Sequence, residues 1–434
     1  MGGCVAMSAS AQETKQSQDL SVELNPVVVT GTGTHHRLKD TPTPVEVVTA
    51  NDIKKAGITD FREAMTALVP SLSFSTNSMG DYLMLNGLSN KYVLILINGK
   101  KLTGDSSNNI DLNRIDMSNV KRIEVLKGAG SALYGSDAIG GVINIITNQP
   151  INDITVTSNT KVEERGQFTQ TANVDIKTEK FASYTSYQRR QADGWTLTRV
   201  DADGEARDQH DANAFYTDNY TQMFQFTPND KLSMYVEGSY YDRTVKRQPE
   251  YLKYNLTYDA YSLGAGAKYN FNKRSYIQFD IKNDNYDTNY LYTNEDGDNK
   301  VGDEVRQKRQ HYYSGNLKSL FRFTENTRTI FGVEYIQETL DRPSFNVDER
   351  AYTWAAYAQE EITLFKNLQI QAGLRYVYHE TAKSNVTPKL AVMYRLGDFT
   401  IRGQYSAGFR APGLDELYNC LLYTSPSPRD LSTS

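Results

Sequence analysis

The 434-residue sequence has almost no cysteine: Cys4 and Cys420 stand near opposite ends. Two thiols so placed exclude a disulfide framework and a cysteine-based zinc site. Long apolar runs are missing too. No stretch of about 18 apolar residues occurs, which excludes a transmembrane helix. A basic excess is also absent, because 47 Lys and Arg face 52 Asp and Glu for a net charge of −5. Without a basic footprint, nucleic acid is not an expected partner. Hydrophobic residues reach only 39%, and mean hydropathy is −0.58, below the usual globular share. One surplus stands against these deficits: 30 Tyr and 16 Phe. So polar a chain, so rich in aromatics, fits either an acidic soluble β-protein or a membrane β-barrel. Barrel strands alternate, so they leave average hydropathy low.

Composition shifts divide the chain. Ala9-Ser10-Ala11 before Gln12 follows the small-x-small rule of a signal-peptidase site, but too few residues precede it for a whole leader. Residues 1–24 therefore read as a signal-peptide remnant and a flexible N-terminus. Residues 25–150 mix helix and strand signals. Val45-Glu46-Val47-Val48 reads as a strand, and Asp60 to Leu68 as a helix opened by the Asp60-x-x-Glu63 spacing of a capping box. Tyr92 to Ile97 is a continuous apolar run closed by Asn98-Gly99, which predicts a buried strand and a turn. Val120–Leu126 and Val142–Ile146 add two strands around a Gly/Ser/Ala-rich stretch.

From Ile154 the period changes to two. Phe168, Gln170, Ala172, Val174 and Ile176 alternate with the polar Thr169, Thr171, Asn173, Asp175 and Lys177. About 13 such segments are expected between Ile154 and Ala407. They are joined by short turns such as Pro228-Asn229-Asp230 and by long polar loops such as Asp201–Asn213 and Asn294–Glu304. Short turns at one end and long loops at the other predict an outer-membrane barrel. Tyr240-Tyr241, Tyr290 with Tyr292, and Tyr312-Tyr313 suit interfacial girdles. Cys420–Ser434 is Ser/Pro-rich and holds no strand, so it is expected to be a non-native tail.

Residues 26–150 carry a specific resemblance. Val27-Val28-Val29-Thr30-Gly31, Asp40-Thr41-Pro42, Val93 to Gly99, Val120 to Gly128 and, above all, Ser131 to Thr147 resemble the plug of TonB-dependent outer-membrane receptors. Gly408-Phe409-Arg410-Ala411-Pro412 and Glu416-Leu417-Tyr418 resemble the family's barrel. Departures are Asn86-Gly87, where Arg-Gly is usual, and Ala129, where Pro is common; a full copy of the usual plug-to-barrel charge lock is therefore not expected. The resemblance implies an α+β plug at 25–150 followed by an antiparallel transmembrane β-barrel at 151–419. That barrel would be incomplete, about 13 of about 22 strands. It also implies a TonB box at Val27, Val28, Val29 and Thr30, and plug-motif positions Asn98, Gly99, Glu124, Gly128, Tyr134, Gly135, Asp137, Gly140 and Gly141.

The residue chemistry agrees with these roles. A wide barrel leaks unless plugged, and opening the plug needs energy from another membrane. β-branched Val27–Thr30 favour an extended strand that can add to a partner's sheet edge; an ordinary first plug strand is the alternative. Gly128-Ala129-Gly130 lacks the third glycine of a dinucleotide loop, so tight turns explain these glycines better. Placing Ile370, Leu374, Ile401 and Tyr405 on lipid turns Arg375, Arg395, Arg402 and Arg410 inward, with Arg375 and His379, and Arg402 and Arg410, sharing a face. Inward arginines would meet plug carboxylates such as Glu124, or else an anionic ligand. His210, His311 and His379 are candidate haem ligands. Asp201-Ala202-Asp203-Gly204 and Asp296-Gly297-Asp298-Asn299 are candidate calcium loops. No Ser/His/Asp or paired-acid constellation is evident, so no enzyme is expected.

By resemblance, the expected function is energised uptake of an iron complex, siderophore or haem. The expected partners are the TonB protein of the inner membrane, lipid and a small metal-complex ligand, at the outer membrane of a Gram-negative bacterium. Alternatives are a cobalamin receptor, or a passive porin or adhesin barrel.

Overall fold

A computed structural model of the chain describes residues 27–77, 80–106, 109–200, 206–247, 252–365, 367–397 and 399–418. The expected leader remnant, the Asp201–Gly204 loop and the 420–434 tail lie outside them.

The apolar runs of the first third form a five-stranded sheet from β1 (Val45–Thr49), β2 (Val93–Ile97), β3 (Lys100–Lys101), β4 (Val120–Lys127) and β5 (Gly141–Thr147). Its order is β1-β4-β5-β2-β3. The β5–β2 pair is parallel and the others antiparallel. Strand β2 is apolar at successive positions because both sheet faces are covered. On one face Ile95, Ile123, Val125, Ile143 and Ile145 pack with Ile53, Phe61, Ala64 and Met65. The latter belong to α1 (Ala50–Lys55) and α2 (Phe61–Leu68). On the other face Leu94, Leu96, Leu126 and Val142 cover Val28. Asp60 caps α2 by accepting the Glu63 N–H at 3.0 Å. The complete capping box sits instead at Thr49 and Asp52, opening a helix that periodicity did not show because it has only six residues.

Thirteen antiparallel strands follow in one sheet, each hydrogen-bonded to the next. They are β6 (Ile154–Val162), β7 (Phe168–Lys177), β8 (Phe181–Ala192), β9 (Phe215–Asn229), β10 (Leu232–Val245), β11 (Tyr254–Asn272) and β12 (Ser275–Tyr292). Then come β13 (Glu304–Phe321), β14 (Thr327–Arg342), β15 (Val347–Leu364), β16 (Leu368–His379), β17 (Lys383–Leu396) and β18 (Phe399–Ser406). Alternation sorts the faces. Phe224, Val236, Leu263, Phe279, Ile281 and Val333 are exposed outward, whereas Thr169, Thr171, Asn173, Thr217 and Asn219 are buried on the inner face.

Turns at one end are short, as at 178–180, 230–231 and 273–274, and connections such as 293–303 at the other are longer. Two expectations change here. The Asp201–Asn213 loop contains a strand, Ala206–Ala212, paired with Trp195–Val200. The last far-end connections, 343–346 and 380–382, are short. The girdle reading also fails for one residue of each adjacent tyrosine pair. Tyr241 and Tyr312 are buried inward while Tyr240 and Tyr313 are exposed, because consecutive strand residues point to opposite faces.

The first third sits inside the curve of this sheet. Its contacts run round the wall strand by strand: Ser118 with Asn173 on β7, Asp60 with Arg190 on β8, Asn113 with Asn219 on β9 and Lys100 with Glu237 on β10. They continue through Arg114 with Asp284 on β12, Gly33 with Lys318 on β13 and Asp40 with Arg395 on β17. These contacts are polar, and a small apolar cluster of plug Leu133 with Leu320, Ile330 and Tyr357 of the wall adds to them. Strands β6 and β18 are not paired with each other among the described residues.

Candidate functional site

The inner end of the plug holds Val27–Thr30. Val27 and Val28 form a two-residue antiparallel ladder with Arg37 and His36. Beyond it the chain turns under the plug sheet. The Glu124 carboxylate, fully buried on β4, accepts from the Val29 N–H at 2.9 Å, the Thr30 N–H at 2.8 Å and the Thr30 hydroxyl at 2.6 Å. Its second oxygen takes Arg122 Nε at 2.7 Å. The Asn144 amide donates to Thr30 Oγ1 at 3.1 Å, and the Tyr134 hydroxyl donates to the Thr30 carbonyl at 3.1 Å. The expected contact of Glu124 with an inward arginine of the wall is therefore replaced by Arg122 of its own strand. Residues 122 and 124 share a face two positions apart, closer than any wall side chain.

Wall side chains take over at the next three residues. Lys389 donates to the Gly31 carbonyl at 3.0 Å, Gln359 to that of Thr32 at 2.6 Å and Lys318 to that of Gly33 at 2.6 Å. None of the three was singled out from the sequence. Carrying the inward phase of Arg375 across β13, β15 and β17 would have placed them on the lumen face, but not opposite which carbonyl.

The plug motifs resolve into turns and packing. Asn98 and Gly99 both have positive φ; Asn98 bonds Thr147 through its amide and Gly99 N–H donates to Asn144. Gly128 bridges back to Gly140. Gly141 has no room for a Cβ, which would lie 2.4 Å from the Leu126 carbonyl oxygen. Asp137 accepts from Lys101 at 3.0 Å.

Between plug and wall lies a cavity of about 630 Å³, lined by Lys101, Asp137, Arg375, His379 and Arg410 among others. Arg375 is buried, pairs with Glu334 and lies over the Tyr357 ring. Its Nη1 reaches the Leu133 carbonyl of the plug at 3.4 Å. Burial alone would pull the Lys101 ammonium down, but the Asp137 and Glu338 carboxylates outweigh it and push the group up. Arg402 donates to the Thr41 carbonyl at 3.1 Å and the Lys39 carbonyl at 3.0 Å, so it too meets the plug. Arg410 does not share a strand with Arg402, because β18 stops at Ser406. It lies in a segment that crosses the lumen over the plug, paired with Glu416 and 3.6 Å from Asp137.

Of the candidate haem ligands, His311 and His379 line the cavity. His379 Nδ1 already accepts the N–H groups of Thr381 and Ala382, each at 3.1 Å. The His210 side chain lies outside the description. In the second calcium candidate, Asp296 pairs with Lys253 at 3.0 Å. No group of three metal-ligating side chains occurs among the described residues.

A plug inside a curved sheet is the arrangement that known sequences also identify. The model of the TonB-dependent receptor plug domain matches residues 37–142, and that of the TonB-dependent receptor-like β-barrel matches 167–431. The chain belongs to the TonB-dependent receptors. Its iron-regulated outer membrane virulence protein relative in Vibrio cholerae serotype O1 is 25% identical over 462 residues, covering 96% of this chain and 64% of that protein. The vitamin B12 transporter BtuB of the same species is 25% identical over 420 residues, covering 91% and 64%. The solved siderophore receptor PirA from Pseudomonas aeruginosa has the same fold, with a TM-score of 0.65 and 21% identity over 86% of this chain and 63% of that one. This TonB-dependent receptor chain thus spans about two-thirds of the length of such relatives. Its family places it in the outer membrane of Gram-negative bacteria.

Proposed function

We propose that the chain serves energised uptake of an iron complex across the outer membrane, a siderophore first and haem second, with TonB of the inner membrane as the partner. The observation that carries this reading is the plug seated within the wall with Val27–Thr30 at its inner end, where a periplasmic partner would reach it. Two relatives named for iron or siderophores support iron as the cargo. The plug–wall cavity carries both signs of charge, which suits a polar complex rather than an apolar ligand. Cobalamin is the second reading, supported by the BtuB relatives. The open porin reading is disfavoured by the plug.

Deleting Val27–Thr30 from the complete receptor should abolish uptake of labelled ferric siderophore and leave surface binding intact. Collapse of the proton gradient should have the same effect. Uptake that survives either treatment would refute energised transport.

A further inference from the structure

Residues 27–33 are held by two different bodies, and the change-over is abrupt. Up to Thr30, the partners are plug groups: Glu124 takes two N–H groups and a hydroxyl, while Asn144 and Tyr134 hold the rest of Thr30. From Gly31 to Gly33, three successive carbonyls are taken by Lys389, Gln359 and Lys318 of the wall. The geometry points to a latch and a stop: Glu124 positions Val27–Thr30 in the docked state, and the wall trio confines release to those four residues. This rests on reading Val27–Thr30 as the partner-binding peptide.

The physical argument is a load path. A pull on Val27 first breaks the short ladder to His36 and Arg37, which has only two residue pairs. It then loads the Glu124 cluster, whose hydrogen bonds to a carboxylate are of the stronger, charge-assisted kind. Beyond Thr30 the load passes into strands β13, β15 and β17, embedded in a sheet with hydrogen-bonded neighbours on both sides. Release beyond Thr30 would have to break all three of these hydrogen bonds, two of them from ammonium donors. Val27 is 42% exposed, but Val28 and Thr30 are 1% and 0% exposed, so a partner can pair with the peptide only after it is released. Arg122 holds the other oxygen of Glu124 and also lines the plug–wall cavity, so the latch has one member that a cavity occupant can touch.

The test is thiol labelling of the full chain in outer-membrane preparations, with Cys4 and Cys420 replaced by serine and no partner present. Single reporters are Val28→Cys, at a position only 1% exposed while docked, Thr34→Cys beyond the stop, and Ala64→Cys in the plug core. Glu124→Gln keeps the shape but removes the charge and should speed labelling at Val28 about tenfold, the effect of losing about one charged hydrogen bond. Labelling at Thr34 and Ala64 should stay slow. Thr30→Val, which removes the hydroxyl's contacts with Glu124 and Asn144, should also speed labelling at Val28. The triple variant Lys318→Met, Gln359→Leu, Lys389→Met should expose Thr34 and leave Val28 as slow as before. Unchanged Val28 labelling in both Glu124→Gln and Thr30→Val overturns the latch. Exposure of Ala64 in Glu124→Gln overturns it too, since Glu124 would then hold the plug core. Thr34 rising together with Val28 in Glu124→Gln overturns the stop. None of these readouts involves transport, so failure here is distinct from failure of the uptake reading.

Discussion

At Asp111 a single carboxylate gathers groups from the plug and two wall strands. Tyr241 and Tyr286 donate to it at 2.7 and 3.0 Å, and Arg243 lies at 3.2 Å. Burial pushes the carboxyl up, but Arg243 and the hydrogen bonds of Asn113 and Tyr241 outweigh it and hold the group below its ordinary value. A depressed folded-state pKa gives stability that is full above about pH 4 and lost as pH falls through the folded value. Plug stability measured by denaturant between pH 5 and pH 2 should therefore fall less steeply in Asp111→Asn; identical slopes would refute the assignment. A second residue-scale prediction concerns Arg114 and Asp284, 2.7 Å apart with side chains 6% and 0% exposed. Asp284→Asn should cost about 3–5 kcal/mol of stability, read from denaturant unfolding, because it leaves the buried Arg114 guanidinium and the Lys282 ammonium 3.1 Å away uncompensated. Replacing Arg114 and Asp284 together by apolar residues should recover only part of that loss, since Lys282 still lacks its carboxylate. At Gly135, φ is +82° and an added Cβ would lie 2.9 Å from Arg375 Nη2. With ψ at −140°, this is a backbone region that essentially only glycine adopts, so Gly135→Ala should destabilise by about 1–3 kcal/mol through backbone strain alone, read as a lower thermal midpoint.

Among the elements, long alternating strands were legible and short irregular ones were not. Strand β11 shows its period over Tyr261 to Phe271, and Tyr261, Leu263, Tyr269 and Phe271 are all exposed on its outer face. Helix α1 and strand Ala206–Ala212 escaped notice. The first is too brief for a periodic signal, and the second is a polar run whose ladder is supplied by its neighbour. Strand position in the sheet also sets mobility. Strand β18 has exposed residues along nearly its whole length and a neighbour on one side only. Hydrogen exchange should therefore be fastest in β6 and β18 and slowest in β12 and β13, which are paired on both edges. Uniform protection across the sheet would contradict this topology.

Taken as a whole, the molecule joins two cores of unlike chemistry. The plug's main cluster contains only residues from the first third, Val48 to Ile145. Burying each of its large side chains contributes about 1.5–3 kcal/mol, whereas the wall contacts are hydrogen bonds and ion pairs together with one small apolar cluster of Leu133 with Leu320, Ile330 and Tyr357. Residues 27–150 expressed alone should therefore retain sheet and helix by circular dichroism. Loss of all secondary structure would show that the wall supplies the plug's stability. The same division explains how a plug can shift without losing its fold: apart from the Leu133 cluster, the contacts named above that must be broken are polar and exchangeable with water.

The sequence by itself determined the two-part plan, the alternating strands and the family, because periodicity and local motifs are properties of neighbouring residues. It determined which arginines turn inward. Only the tertiary structure decided whom they meet. Glu124 was expected to face a wall arginine and instead holds Thr30. Arg410 was expected to share a face with Arg402 and instead lies beyond the last strand, paired with Glu416. A period of two assigns a side chain to a face; it carries no information about which atom, hundreds of residues away, is folded to within hydrogen-bonding distance of it.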